Sequence, residues 1–355
     1  MKKSFTIAIL LFTFQQFLIA KIEYVVYPSL GYSNETGFYA GGLAYLRYGG
    51  IESDSTSHKN LIYYSNEVSE KKQYSIHLMP EIYFKNGIYK FLANVKFKHW
   101  PSTFYGIGNE HTQDIKEQYT KQVSDIDLEV MRELADIWQA SLIYEFSHFQ
   151  IKKMEEEGLL VVGNIPGCEE NITSGVGFSL SYDTRDSDTY PQNGCLYNFK
   201  SVLFSDIFAS DYNFIRSEID LRQYLSIFNN QTLAFQGYFS TVSNEIPFHK
   251  MSHLNDYMRA VTANKFIDRN SIIFRIENRI FPWSHSLFER FGFVAFLETG
   301  EVAGSLEELS LNELKLSYGA GLRISFLMND RLNVRLDIGF GEQNRSLSMG
   351  SREEF

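Results

Sequence analysis

Strict alternation of apolar and polar residues over 176–183, within the segment 175–186, limits what this chain can fold into more than any other feature. A period of two places the alternating residues on opposite faces of a β-strand. One face is apolar throughout, while the other carries glycine and serine and then Asp183 and Arg185. A Pro-x-x-Gly turn at Pro191–Gly194 follows. The segment therefore predicts a strand that separates an apolar environment from a wet, crowded one.

Two segments near the C-terminal end repeat this pattern. Residues 315–326 and 331–341 alternate apolar side chains with glycine, serine, arginine or aspartate, and Met328–Asp330 links them in a tight turn. Glycine and serine with arginine and aspartate at matched levels favour a barrel lumen, where charges pair across a confined space. The continuous apolar faces with terminal aromatics are typical of lipid-facing bands.

The rest of the chain gives about sixteen candidate strands, an even number as in single-chain bacterial barrels. Their links alternate between tight turns and long loops, except Gly49–Asn60, which is long where a short turn is due. We predict an all-β fold, a transmembrane antiparallel β-barrel that forms a single domain over residues 21–355. The predicted strands lie near 24–33, 37–48, 58–68, 73–84, 87–98, 118–131, 135–150, 174–185, 195–206, 211–226, 230–243, 270–281, 289–299, 315–326, 331–341 and 346–355.

The N-terminal end reads as an export signal. Met1-Lys2-Lys3 precedes an apolar run from Phe5 to Phe14, and a small residue stands at Ala20. This order predicts a secretory signal peptide over residues 1–20. No later apolar run reaches the roughly 18 residues that a spanning helix needs. We therefore expect the mature chain in the outer membrane of a Gram-negative-type bacterium, with membrane lipid as its first partner.

The net charge argues against a nucleic-acid partner, and the positions of the two cysteines argue against a disulfide bond. The formal charge is −10, and no basic run offers a phosphate-binding face, so we expect no nucleic-acid partner. Cys168 and Cys195 flank the strand at 175–185, which would carry them to opposite ends of the fold. Because a disulfide needs close Cα atoms, we predict that these cysteines remain free.

Several segments, taken in order, resemble the barrel of the BamA/TamA outer-membrane assembly superfamily, also called the bacterial surface antigen family. The resemblance covers nearly the whole mature chain and implies a role in outer-membrane protein assembly or translocation. Its implied partners are outer-membrane client proteins or a periplasmic protein supplied in trans. The first strand begins almost at the predicted cleavage site, so we expect no periplasmic (POTRA) repeats. The segments are 182–186 with Tyr190–Gly194, Phe104–Asn109, Ile246–Phe248, Met258-Arg259, Phe266–Asp268, Glu277–Arg279, Phe291–Gly300, Gly319–Arg323 and Arg335–Gly341.

The best-marked feature of that family is a long loop that folds back into the lumen, with an Arg-Gly-aromatic motif at its tip. Here Arg259-Ala260-Val261 occupies that place. Alanine instead of glycine is expected to strain or change the turn. The resemblance puts Glu277 and Glu298 opposite Arg259, and the planar guanidinium suits carboxylates. We predict that Arg259 pairs with one or both glutamates; the alternative is a solvated loop arginine.

Other charged residues fall on the faces that we assign to the lumen. We predict that they form a ladder that keeps the interior wet and does no chemistry. The last residue, Phe355, fits the C-terminal aromatic signal of outer-membrane barrels. The predicted lumenal charges are Asp183, Arg185, Arg275, Arg323, Arg335 and Asp337.

Enzyme motifs do not emerge from the chain. His249 and His253 are four residues apart, but no glutamate completes a zinc-protease motif, and no Gly-x-Ser-x-Gly elbow is found. We therefore predict a protein that is not an enzyme and has no catalytic residues, metal or cofactor. Two alternatives to an assembly role stay open. One is a porin-like channel whose bore is set by the loop around Arg259, and the other is a structural surface barrel.

Overall fold

The structure is a computed structural model. The predicted signal peptide (1–20), most of the link Gly49–Asn60 and the turn Met328–Asp330 lie outside the residues it describes. The described residues are 22–33, 37–49, 60–85, 87–110, 115–135, 137–228, 230–283, 288–327, 332–341, 344–351 and 353–355.

Eighteen strands are found in the described part of the chain, and sixteen of them form one antiparallel sheet in chain order. The prediction of about sixteen barrel strands is therefore confirmed. Two short strands, β12 and β13, pair only with each other. The strands are β1 Glu23–Ser33, β2 Gly37–Tyr48, β3 Asn60–Ser69, β4 Tyr74–Phe84, β5 Tyr89–Phe104, β6 Glu117–Ala135, β7 Trp138–Lys153, β8 Asn171–Asp183, β9 Gly194–Phe204, β10 Phe214–Phe228, β11 Gln231–Val242, β12 Ser252–His253, β13 Ile267–Asp268, β14 Asn270–Ile280, β15 Phe291–Ala303, β16 Lys315–Leu327, β17 Leu332–Gly341 and β18 Arg345–Ser351.

In the described residues, helical structure occurs only in short turns between strands. Helix α1 covers Leu159–Val162, and 3-10 turns cover Asp206–Phe208, Phe248–Lys250 and Leu254–Asp256. No helix in the described ranges is long and apolar enough to cross a membrane.

Each strand divides its side chains between two environments, as the alternation predicts. On β8, Val176 and Phe178 are 38% and 51% exposed, whereas Ser179 and Ser181 are each 3% exposed. An apolar band this extensive would be an aggregation surface in water. It has the composition of the lipid-facing band of an outer-membrane barrel.

The polar faces enclose an interior, because side chains from strands that are not neighbours meet there. Arg216 on β10 donates a hydrogen bond to Glu145 on β7 at 2.6 Å. Tyr83 on β4 donates to Asp188, in the link after β8, at 3.5 Å. We call this interior the lumen.

A hydrophobic cluster fills the lumen near the long loops. Phe248, from the link between β11 and β14, is 1% exposed. Its ring packs edge-on against Phe104, Phe149 and Tyr119, with centroids 5.4, 5.6 and 6.0 Å away. Aromatic pairs of this geometry contribute about 0.5–1.5 kcal/mol each beyond burial. This packing holds the base of the loop that carries the candidate site.

Strand ends differ from the predictions in two places that bear on the site. Strand β5 continues to Phe104, and the predicted strand 346–355 ends at Ser351. Cys168 and Cys195 are both free, as predicted. They lie at opposite ends of β8, since Cys168 precedes Asn171 and Cys195 is on β9 near the end of the β8–β9 ladder.

Candidate functional site: a lumenal loop and its ionic cluster

The connection between β11 and β14, residues 243–269, runs back into the lumen. Its two arms are joined by the β12–β13 pair, in which Ser252 lies opposite Asp268. Leu254 and Met258 are 0% and 1% exposed and pack in a cluster with Tyr238 on β11 and Ile273 on β14. Apolar packing therefore holds the loop tip in position independently of its ionic contacts.

Arg259 at the tip binds three carboxylates from three different strands. Its Nε donates to Oε1 of Glu298 at 2.7 Å, and its Nη2 donates to Oε1 of Glu277 at 2.5 Å. Its Nη1 donates to Oδ2 of Asp337 at 3.1 Å. The Arg259 side chain is 4% exposed and those of the two glutamates are 0% exposed. The planar fork of arginine is suited to such convergent carboxylates.

Glu298 also fixes the backbone of the tip. Its Oε2 accepts from the Arg259 amide at 2.7 Å and from the Ser317 hydroxyl at 3.0 Å. The Ala260 amide donates to the same hydroxyl at 3.2 Å. The Arg259 guanidinium lies 3.4 Å from the centroid of the Phe296 ring, a close cation–π contact. One carboxylate thus orients both the side chain and the main chain at this position.

Burial lowers the pKa of Arg259, but Glu277, Glu298 and Asp337 outweigh this effect and raise the pKa above its ordinary value. Arginine is not deprotonated in proteins, and these carboxylates favour its charged form further. Its bonds depend on the protonation of the carboxylates and not on its own.

Small residues on β17 make room for the tip. A Cβ added to Gly341 would lie 2.3 Å from the Ala260 carbonyl oxygen, and one added to Gly339 would lie 3.0 Å from the Ala260 Cβ. Ala260 itself is not among the described residues with positive φ. The turn therefore does not require a left-handed backbone at this position, and alanine introduces no strain of that kind.

Arginines on neighbouring strands surround the same carboxylates. Arg279 donates through Nε to Oε2 of Glu277 at 2.8 Å. Arg275 donates to Oε1 of Glu298 at 3.4 Å. Arg323 donates to Oδ1 of Asp337 at 2.5 Å. The acids that bind the loop tip are therefore shared with the barrel wall.

Residues 353–355 turn into the lumen and complete this cluster. Oε2 of Glu353 accepts from Nε of Arg323 at 2.7 Å. The Glu354 carboxylate lies 3.5 Å from Nη2 of Arg275, and it also binds Arg335. A main-chain oxygen of Phe355 accepts from Nη2 of Arg279 at 2.8 Å.

The Phe355 side chain is 4% exposed and lies among cations. Its ring centroid is 4.6 Å from the guanidinium carbon of Arg275 and 5.2 Å from that of Arg279. The ring therefore packs into the ionic cluster, on the lumenal side of the wall.

The predicted last strand, 346–355, is therefore too long, and the reason is electrostatic. In a strand, consecutive side chains face opposite sides, so either Glu353 or Glu354 would face lipid. Leaving the strand after Ser351 lets both carboxylates reach arginines.

The side-chain charges in this cluster balance. Five arginines meet five carboxylates, and removing one partner of such a buried pair leaves an uncompensated charge. We call these residues the balanced cluster. Its members are Arg259, Arg275, Arg279, Arg323, Arg335, Glu277, Glu298, Asp337, Glu353 and Glu354.

Comparison with known proteins identifies the family. The Omp85 superfamily domain matches residues 62–258. The chain belongs to the Omp85 superfamily. No curated protein matches this Omp85 chain.

Solved structures of low sequence identity share the fold of this Omp85 barrel. BamA from Haemophilus ducreyi lacking POTRA domains 1–3 matches with a TM-score of 0.60 at 10% identity, over 94% of this chain and 70% of that one. CdiB from Acinetobacter baumannii matches with a TM-score of 0.58 at 9% identity, over 93% of this chain and 59% of that one. CdiB from Escherichia coli matches with a TM-score of 0.59 at 9% identity, over 94% and 61%. The chain thus spans about three fifths of the length of either CdiB.

The Omp85 barrel brings together most of the residues that the sequence assigned to the lumen. Arg275, Arg323, Arg335 and Asp337 all lie in the balanced cluster around Arg259. The remaining two predicted charges, Asp183 and Arg185, form a separate pair.

Arg185 binds Asp183 through two parallel bonds. Its Nε and Nη2 donate to the two carboxylate oxygens at 2.9 and 2.7 Å. Nη2 also lies 3.5 Å from Asp188 in the same link. In this Omp85 barrel, Asp183 and Arg185 therefore form a local ion pair at the β8–β9 link. The predicted lumenal charges form two separate groups and not one ladder.

The sequence analysis did not place three acidic members of the balanced cluster around Arg259 and its neighbours. Asp337 was placed in the lumen but not opposite Arg259, and Glu353 and Glu354 were taken as strand residues. Alternation gives the face of a strand residue but not its neighbours across the barrel. The consecutive acids before a terminal aromatic were the available signal.

Proposed function

We propose that this Omp85 barrel acts in the outer membrane, where it assists the assembly or translocation of other proteins without being an enzyme. The observation that carries the proposal is the short final strand. Strand β18 has 7 residues and pairs with β17 only from Arg345 to Ser351. The chain then leaves the sheet, and its last residues bind side chains in the lumen.

A strand edge that ends early suits the reception of another chain. Unpaired backbone N–H and C=O groups on an edge are a template for an added strand. A main-chain oxygen of Phe355 accepts from Arg279 in the lumen, so the end of the chain is directed away from the edge of the sheet. We infer that the boundary between β1 and β18 is where a client strand pairs, and we call it the seam.

The family and the fold support this reading in its general form. We infer that the partners are outer-membrane lipid, unfolded client barrels and a periplasmic partner supplied in trans. The loop tip, tied to β14, β15 and β17, keeps the wall beside the seam in shape while β18 moves.

Photocrosslinking tests the seam directly. A photoreactive amino acid replaces Met349, which is 50% exposed on β18, or Leu225, which is 46% exposed on β10 far from the seam. In liposomes that contain an unfolded client barrel, position 349 should capture the client and position 225 should not. Equal capture at both positions would contradict the proposed seam.

Two measurements separate assembly from the alternatives. Depletion of the protein should lower the levels of other folded barrels in the outer membrane. Stable conductance in planar bilayers that depends on loop 243–269, together with unchanged levels of other barrels, would instead favour a channel. A structural surface barrel would show neither effect.

A further inference from the structure

A second region of the lumen lies between loop 243–269 and strands β5–β7, apart from the balanced cluster. It holds a cavity of about 430 Å³. We call this cavity the cationic chamber, because its walls carry five cationic side chains and two carboxylates. These are Lys96, Lys98, Lys121, Arg216 and Lys250, and Asp125 and Asp256.

Only some of these cations are neutralised by the wall. Arg216 binds Glu145 at 2.6 Å, and Nζ of Lys250 lies 3.5 Å from Asp125. Among the described residues, no carboxylate oxygen lies within 4.0 Å of Nζ of Lys96 or Lys98. The protein as a whole is acidic, with a net charge of −10, so two unneutralised lysines in a lumenal cavity are a local exception.

Strand register concentrates the positive charge. On β5, Lys96, Lys98 and Trp100 alternate with outward residues, and in the β5–β6 ladder Lys121 lies opposite Trp100. Lys98 and Lys121 are therefore diagonal neighbours on one face, at a distance where side chains interact. Nζ of Lys98 lies 4.8 Å from the centroid of Trp100. Like charges in a confined, poorly solvated space repel each other unless an anion lies between them.

Two buried polar side chains of the chamber also have unused hydrogen-bonding capacity. Neither ring nitrogen of His249 has a hydrogen-bond partner among the described residues, and its ring stacks on Phe149 at 3.8 Å. The hydroxyl of Ser147, which is 1% exposed, likewise has no partner there. A neutral imidazole carries one N–H donor, and serine carries one O–H donor. Buried donors without partners are unfavourable, so these groups indicate a missing acceptor.

We propose that the cationic chamber binds a phosphomonoester, with Lys96 and Lys98 opposite the phosphate and Ser147 and His249 donating hydrogen bonds to it. A dianionic phosphate matches two lysines in charge, and lysine is an effective point-charge phosphate ligand. Trp100 provides a flat wall for the body of the ligand. The volume lies within the range of about 300–1,000 Å³ found for small-molecule sites. A soluble phosphorylated compound and a lipid headgroup share this chemistry.

Thermal melting with added ligand tests the chamber independently of the proposed seam. The full chain, folded in nanodiscs, is titrated with glycerol 3-phosphate at constant ionic strength, with sodium chloride as the reference. In a second arm the nanodiscs contain phosphatidic acid. The wild-type protein should melt at a higher temperature with glycerol 3-phosphate, or in nanodiscs that contain phosphatidic acid, than with sodium chloride alone. A ligand that binds only the folded state stabilises that state.

Three variants distinguish a built site from general charge attraction. Lys96→Gln with Lys98→Gln should weaken binding, by about tenfold or more for each lysine lost, as expected for hydrogen bonds to charged groups. Lys96→Arg with Lys98→Arg should keep binding. Lys152→Gln with Lys153→Gln, which removes the same charge from exposed positions, should also keep it. Heat-modifiable gel mobility shows that each variant is folded.

Binding in only one arm supports the chamber and identifies the source as a soluble ligand or a lipid headgroup. Binding in both arms supports the shared chemistry. No stabilisation of wild type in either arm would overturn the proposal, and so would equal binding by the folded glutamine variant. Equal weakening in the exposed-lysine control would also overturn it, because binding would then follow net charge.

Discussion

The balanced cluster and the cationic chamber lie in one lumen but differ in how far their positive side chains are neutralised by carboxylates. In the cluster, five arginines meet five carboxylates, and each acid of the β-strands is shared between cations. The chamber is lined by five cations and two carboxylates, and although Arg216 also binds Glu145, Lys96 and Lys98 have no carboxylate oxygen within 4.0 Å in the described residues. A buried network with all partners present holds a structure together, while an unneutralised one is suited to a ligand.

Charge reversal at the centre of the balanced cluster should have the largest effect. Glu298→Lys removes the acceptor of the Arg259 side chain and amide and of Ser317. Breaking a buried pair costs about 3–5 kcal/mol, so the urea midpoint of the barrel in detergent should fall strongly. Loop 243–269 should also become protease-sensitive.

Glu307→Lys makes the same change at an exposed loop position and is the matched control. If Glu298→Lys leaves both the urea midpoint and the cleavage of the loop unchanged, the cluster does not hold the loop.

A smaller loss should follow when the space for the loop tip is filled. In Gly341→Ala, the new Cβ would lie 2.3 Å from the Ala260 carbonyl oxygen, so the tip must move. Overpacking of this kind costs about 1–3 kcal/mol. In Gly237→Ala, the nearest atom would be 3.9 Å away, and no comparable loss is expected. Urea unfolding of the two alanine variants measures the difference, and equal midpoints would show that the tip is not tightly seated.

Removing the acids after β18 should make the cluster resemble the chamber. Glu353→Gln with Glu354→Gln leaves Arg323 and Arg335 with Asp337 as their remaining carboxylate among the described contacts. The cluster would then carry an excess of two positive charges. Added phosphate should raise the melting temperature of this variant by more than it raises that of wild type. An equal rise in both proteins would mean that charge imbalance alone does not create an anion site here.

Alternation alone could predict the wall of this barrel but not its cross-lumen contacts, and the predicted pairing of Arg259 with Glu277 or Glu298 came from the family resemblance. Alternation places Glu277, Glu298 and Asp337 on the inner face because strand geometry fixes the side of each residue. Which of them Arg259 reaches depends on barrel closure and on the packing of Leu254 and Met258, and no local pattern encodes either.

The cationic chamber was hidden from the sequence for a related reason. Its members come from β5, β6, β7, β10 and the loop. None of these segments carries a sequence motif that indicates a phosphate site. His249 and His253 did stand out by their spacing. Their significance depends on Phe149 and Ser147, which are distant in sequence and adjacent only after folding.

A pH titration should give the smallest effect and bears on the chamber alone. Burial lowers the pKa of His249 well below 6.5, and Lys250, Lys121 and His253 lower it further. Because the unfolded state then binds the proton more readily, stability is full above pH 6.5 and falls as the pH drops below that value. His249→Gln should flatten this part of the melting-temperature profile. Bound phosphate should flatten it too, because a neighbouring anion favours the charged imidazole. A slope that persists unchanged in His249→Gln would assign the pH dependence to other groups and weaken the case for His249 as a phosphate ligand.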